Sequence, residues 1–102
     1  MDDKYDYIIQ EIISTKIDGR YVNKYHEQIL GKQCVVDRLD IGYQGIMLIE
    51  AFGNHPTPRW YYTSNVCSVA KNIENGTFMV NTRHSTYILT PIEGGNEFDL
   101  PR

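Results

Sequence analysis

The chain has 102 residues, 41% of them hydrophobic, which supplies one modest core and leaves no room for a second. Its formal charge of -3 argues against the global positive field that dominates affinity for a phosphate backbone, and its 13 acidic residues are too few and too scattered to imitate DNA. The opening Met1-Asp2-Asp3-Lys4 has no basic n-region or apolar h-region, and no apolar run approaches the ~18 residues of a membrane span, so a cytoplasmic protein without a membrane partner is expected.

At the N-terminus Tyr5, Ile8, Ile9, Ile12 and Ile13 recur at helical spacing and form one apolar stripe. Asp2 or Asp3 suits the start of a helix, Lys16 its negative end, and Asp18-Gly19 its stop. Tyr21, Val22, Tyr25 and Ile29 keep that spacing as far as Gly31, which predicts a second short helix, with an extended alternative left open by the β-branched and aromatic residues. Residues 1–31 are therefore expected to be helical, and the first helix offers a surface for a homodimer.

From Lys32 the period changes. Residues 33–39 and 45–52 are compact β-rich runs separated by Asp40-Ile41-Gly42, and the loop Gly53-Asn54-His55-Pro56-Thr57-Pro58 follows. Residues 59–70 read as a third strand. Asn75-Gly76 then marks a hairpin, because this pair adopts the positive φ of a type I′ turn most readily. Strand parity places Cys67, Val69, Phe78 and Val80 on the core face of that hairpin, with Ser68, Asn72, Met79 and Asn81 opposite. Residues 77–82 and 85–90 complete the strands, with an Arg83-His84 corner between them. After Pro91, residues 93–102 have little to bury and are expected to form a flexible tail.

These elements predict a single α+β domain over residues 1–92, with N-terminal helices packed on a small five-stranded antiparallel SH3-like barrel or a strongly bent sheet. Cys34 and Cys67 each sit in an apolar strand-like run, where a buried reduced thiol acts as a small hydrophobe. His26, His55 and His84 fall in three separate segments without metal-ligand spacing, so no metal is expected. Phosphate-binding and dinucleotide-binding glycine motifs do not occur, and Asp37 and Asp40 flank a turn where solvation explains them. No cofactor and no catalysis are expected.

The cluster Arg59-Trp60-Tyr61-Tyr62 is of another kind. Neighbours on a strand point to opposite faces, so Trp60 and Tyr62 cannot share a side with Tyr61, and at least one large aromatic faces outward unless both sides are covered. Exposed Trp, Tyr and Arg are the commonest anchors of protein interfaces, and they also stack bases. Tyr43, Arg59, Trp60, Tyr61, Arg83 and His84 are accordingly the predicted binding rim.

Thr63-Ser64-x-Val66, a hairpin, and then Val80-x-Thr82-x-x-Ser85-x-Tyr87-x-Leu89 form a pattern that resembles small proteins of bacteriophages and mobile elements, some of them anti-CRISPR and other anti-defence proteins. The likeness spans roughly the last forty residues of the folded part, with a weaker echo at Gly31-Lys32 ahead of Val35-Val36-Asp37, and His84 stands where such sequences often have asparagine. The resemblance implies a phage-encoded accessory protein that blocks a host defence effector by occupying it, sterically or allosterically, in the bacterial cytoplasm. The alternatives are a sponge for a nucleotide immune signal, using Arg59, Arg83 and tyrosine stacking, and an SH3-like RNA-binding or regulatory module.

Overall fold

Residues Tyr7–Ser14, predicted to be helical, form an eight-residue strand, β1. The computed structural model describes residues 5–14, 25–96 and 98. The remaining elements are α1 (Tyr25–Ile29), β2 (Gln33–Arg38), β3 (Gln44–Ile49), β4 (Arg59–Lys71), β5 (Phe78–Thr82) and β6 (Ser85–Pro91). The six strands run as an antiparallel meander that closes on itself, β1 pairing with both β2 and β6. This overturns the α+β expectation: the fold is a small closed barrel of six strands, and helix among the described residues is limited to the five residues of α1. A dimer through an N-terminal helix has no such helix at residues 7–14, while the expected cap at Asp2 or Asp3, Lys16, the stop at Asp18-Gly19, and Tyr21 and Val22 lie outside the described residues.

The cause of the misreading is a bulge. Ile9 pairs with Leu89 and Glu11 with Ile88, which leaves Gln10 as an extra residue in β1. One inserted residue turns the two-residue repeat of a strand into a step of three, so Tyr7, Ile9 and Ile12 all face the core. That spacing overlaps the helical stripe. The β-branched isoleucines and the paired length of β6 then favour the strand, because tertiary pairing overrides a local helical pattern.

The same step recurs in β2, where Asp37 is extra and Cys34, Val36 and Leu39 are buried, and in β4, where Thr63 and Ser64 together oppose Gly45 and Tyr61, Thr63 and Val66 are buried. Bulges bend a strand and increase its twist, which lets so few strands wrap a core. Gly45 is required at one such bend. Its N–H donates to Thr63 Oγ1 at 2.9 Å, and a Cβ there would meet Thr63 Oγ1 at 3.0 Å and Leu39 Cδ2 at 3.1 Å.

A second bulge in β4 corrects the predicted hairpin face. Val66 pairs with Thr82 and Ser68 with Asn81, so Cys67 is the extra residue and points outward, while Val66 takes the core position. Phe78 and Val80 are buried and Val69 packs against them. The loop closes between Asn72 N–H and Thr77 O at 2.9 Å, with Gly76 N–H donating to Asn72 O at 2.7 Å. Gly76 has φ +74°, and no described non-glycine residue has positive φ, so the turn is a four-residue loop and not the type I′ pair.

α1 lies against the β4-start and β6 side of the barrel, with Ile29 fully buried and Tyr25 edge-on to Phe52. At the other end, after Ile92 N–H donates to Asp6 O, the segment 93–102 expected as a tail is bonded where it is described: Asn96 N–H donates to Asp6 Oδ1 and Phe98 N–H to Tyr7 Oη. Phe98 also packs its ring on Phe78. Among the described residues no helix is long and apolar enough to cross a membrane.

Two glycines test this frame by chemical denaturation. Gly76→Val is expected to lower stability by about 1 kcal/mol or more, because a β-branched residue resists positive φ. Gly45→Ala is expected to cost about 1–3 kcal/mol through overpacking against Thr63 and Leu39. Unchanged midpoints in both variants would contradict the bulged register and the loop geometry.

Candidate functional site

The outer face of β2, β3 and β4 carries two cross-strand rows. Val35 pairs with Leu48 and Leu48 with Trp60, while Arg38 pairs with Ile46 and Ile46 with Tyr62. Residues directly opposite on neighbouring strands hold their Cβ atoms about 4.5–5.5 Å apart, so each row is one continuous strip of side chains. Trp60 is 54% exposed and Tyr62 55%, beside half-buried Leu48 and Ile46 on the neighbouring strand. The adjacent β2–β3 turn adds Tyr43, also exposed, with the Arg38 guanidinium 5.2 Å from its ring centroid and Arg38 Nε donating to Asp40 Oδ2. This turn is held by β4: Gly42 N–H donates to Val66 O and Val66 N–H to Tyr43 O, both at 2.8 Å.

Of the residues predicted for the rim, Tyr43 and Trp60 belong to this face and the others do not. Arg59 pairs with Ile49 on the alternate row, and its guanidinium lies 4.6 Å from the Phe52 ring and 5.9 Å from that of Tyr25, at the α1 end. Tyr61 is inside the barrel. Arg83 and His84 form the β5–β6 corner, where Arg83 N–H donates to Asn65 O at 2.9 Å and His84 N–H to Ser64 Oγ at 3.1 Å. Ser64 Oγ in turn donates to Thr82 Oγ1, and Thr82 Oγ1 to Ser85 O, so Ser64, Thr82 and Ser85 of the sequence pattern tie this corner. Because Asn65 pairs with Gln44, the corner adjoins the row beyond Tyr62.

Tyr62, Arg38, Ile46 and Leu48 are members of the face that sequence reasoning did not select. Strand parity already coupled Tyr62 to Trp60 and opposed both to Tyr61. For the other three no signal existed, since the bulged register decides which residues lie across from the aromatics.

Inside, Tyr61 and Tyr87 place their hydroxyls 3.0 Å apart, and Tyr87 Oη lies 3.3 Å from His26 Nε2. The His26 ring also stands edge-on to Tyr87 at 5.7 Å. This chain runs from β4 through β6 to α1 and ties the helix to the barrel. Burial lowers the pKa of His26, because the charged imidazolium loses solvation there. Cys34 is pushed up to about 12, first by burial and then by the nearby Asp6 carboxylate, so it stays a neutral thiol. Cys67, expected in the core, is exposed, and both cysteines are free. Among the described residues no group of three or more His, Cys, Asp or Glu side chains is placed to hold a metal ion.

Comparison with protein-family models, with curated proteins and with solved structures finds no match to this chain.

Two measurements check the interior. A group with its folded pKa below its unfolded value contributes stability that is complete above the unfolded pKa and is lost as pH falls through the folded one. The melting temperature is therefore expected to fall as pH drops below about 6.5, the ordinary histidine value, and His26→Gln should flatten that part of the profile. An identical profile in the variant would place the pH response elsewhere. A disulfide-exchange reagent should titrate Cys67 in the native protein and Cys34 only on unfolding; rapid reaction of both would contradict the burial of Cys34.

Proposed function

We propose that this chain is a non-enzymatic binding module that works by covering part of another protein with the outer face of β2, β3 and β4. The observation that carries the reading is the pair Trp60 and Tyr62, each more than half exposed and each directly across from an aliphatic cross-strand partner. Trp, Tyr and Arg dominate the residues whose truncation costs most at protein interfaces, and Arg38 over Tyr43 extends the same chemistry to the edge of the face. The resemblance of the Thr63–Leu89 pattern to phage and mobile-element accessory proteins supports a setting in the bacterial cytoplasm, where the chain would occupy a host defence effector without turnover.

A protein partner fits this face better than a nucleotide does. Phosphate recognition needs guanidinium or ammonium groups presented to the ligand. Arg59 is instead laid on Phe52 and Tyr25, and Arg38 is engaged by Asp40 and Tyr43.

The test is made in a bacterium carrying an active CRISPR system, where the chain is expected to restore plaque formation by a targeted phage. Trp60→Ala and Tyr62→Ala should each weaken capture of the purified effector by about 2 kcal/mol, roughly thirtyfold in Kd, while stability stays within about 0.5 kcal/mol of the parent. Wild-type rescue by both variants would remove this face as the working surface. Thermal stabilisation by cyclic nucleotides with no protein partner would favour a signal sponge instead.

A further inference from the structure

The charges around the outer face select among protein partners. Glu50, just past the end of β3, follows Leu48 at the same parity, and its carboxylate accepts the Gln33 N–H at 2.6 Å, which holds it at the β2 edge of the Val35–Leu48–Trp60 row. Asp37 is the extra residue of the β2 bulge and is exposed beside Arg38. Asp40 lies at the turn, bonded to Arg38 Nε. These three carboxylates against one guanidinium give the group a formal charge of -2. Arg83, in the β5–β6 corner that adjoins the row beyond Tyr62, adds one positive charge at the far border and leaves the face acidic by one, while Lys32 lies ahead of β2 and Arg59 is committed to the α1 end.

We infer that the face takes a protein surface whose apolar side chains are bordered by lysine and arginine, with Leu48, Ile46, Trp60 and Tyr62 meeting the apolar part and Asp37 and Glu50 meeting the cations, the Asp40 carboxylate being taken up by Arg38. This rests on the reading of the β2–β3–β4 face as the working surface. The physical reason is the cost of mismatched charge. A carboxylate brought against an acidic or apolar partner loses hydration without return, whereas opposite a lysine or arginine it is compensated, and the same field speeds encounter. A phosphate backbone is disfavoured by the same charges, although aromatic side chains on a sheet would otherwise suit single-stranded bases.

Three short probes separate the occupants: a peptide of alternating lysine and leucine, one of alternating glutamate and leucine, and an oligouridylate of similar length. Binding is followed by Trp60 fluorescence and by backbone amide shifts at Val35, Arg38, Ile46, Leu48 and Tyr62. The lysine–leucine peptide is expected to shift these residues, to lose about tenfold in affinity between low and physiological salt, and to lose a further factor of about ten in the double variant Asp37→Asn, Glu50→Gln. Glu74→Gln, at the exposed hairpin loop, should leave its affinity unchanged. Equal binding of the glutamate–leucine peptide, binding of oligouridylate at these residues, an equal effect of Glu74→Gln, or no binding of the lysine–leucine peptide would each overturn the inference. Where the peptide test fails, the plaque assay separates the two levels: loss of rescue in Trp60→Ala keeps the face and removes only its basic partner, while full rescue removes both.

Discussion

The shape of the barrel depends on extra residues placed in three of its strands. Gln10 in β1, Asp37 in β2 and the Thr63-Ser64 pair in β4 each change an inward step of two into a step of three. A strand without a bulge twists and bends less, so six of them close less readily around a core this small. The bulges bend the strands far enough that β1 reaches both β2 and β6, so the barrel closes and the edges disappear. Closure also explains how 102 residues enclose a core that includes Tyr7, Phe78 and Met47 at almost no exposure.

A barrel this small has its interior filled with side chains. The polar ones inside satisfy one another: Tyr61 and Tyr87 meet through their hydroxyls and reach His26, and the Thr63 hydroxyl accepts the Gly45 N–H. Ser64, Thr82 and Ser85 are likewise consumed in tying the β5–β6 corner. Chemistry available to a partner is therefore concentrated outside. The β2–β3–β4 face stands out there because register, rather than chance exposure, aligns Leu48 with Trp60 and Ile46 with Tyr62. The long strand β4 links both worlds, since its alternation sends Tyr61 inward and its two neighbours outward.

The β region was legible from residues 33 to 91 because its punctuation is local. Asp40-Ile41-Gly42, the proline-bearing loop at 53–58, Asn75-Gly76 and Pro91 are turn signals that act through the dihedral preferences of single residues. Predicted strands at 33–39, 59–70, 77–82 and 85–90 differ from the observed ones by a residue or so at their ends, whereas the run predicted at 45–52 ends as a strand at Ile49. The N-terminal segment failed for the reason that Cys67 did. A bulge shifts the apolar period by one residue, and nothing in the local composition of Tyr7–Ser14 or Val66–Ser68 marks where the extra residue falls.

By itself the sequence determined the turns beyond residue 32, the glycine conformation at Gly76, the strands at 33–39, 59–70, 77–82 and 85–90 to within a residue, and the rule that Trp60 and Tyr61 face opposite ways. Those follow from backbone sterics and from the two-residue period of a strand, both of which are local. Only the tertiary structure decided that residues 7–14 extend along β6, that Trp60 and Tyr62 are the outward pair, and that Arg38, Ile46 and Leu48 join them. Those outcomes depend on pairing between segments far apart in the chain, where the energy gained by closing the barrel outweighs the helical pattern of the N-terminus and selects one register from the alternatives that parity leaves open.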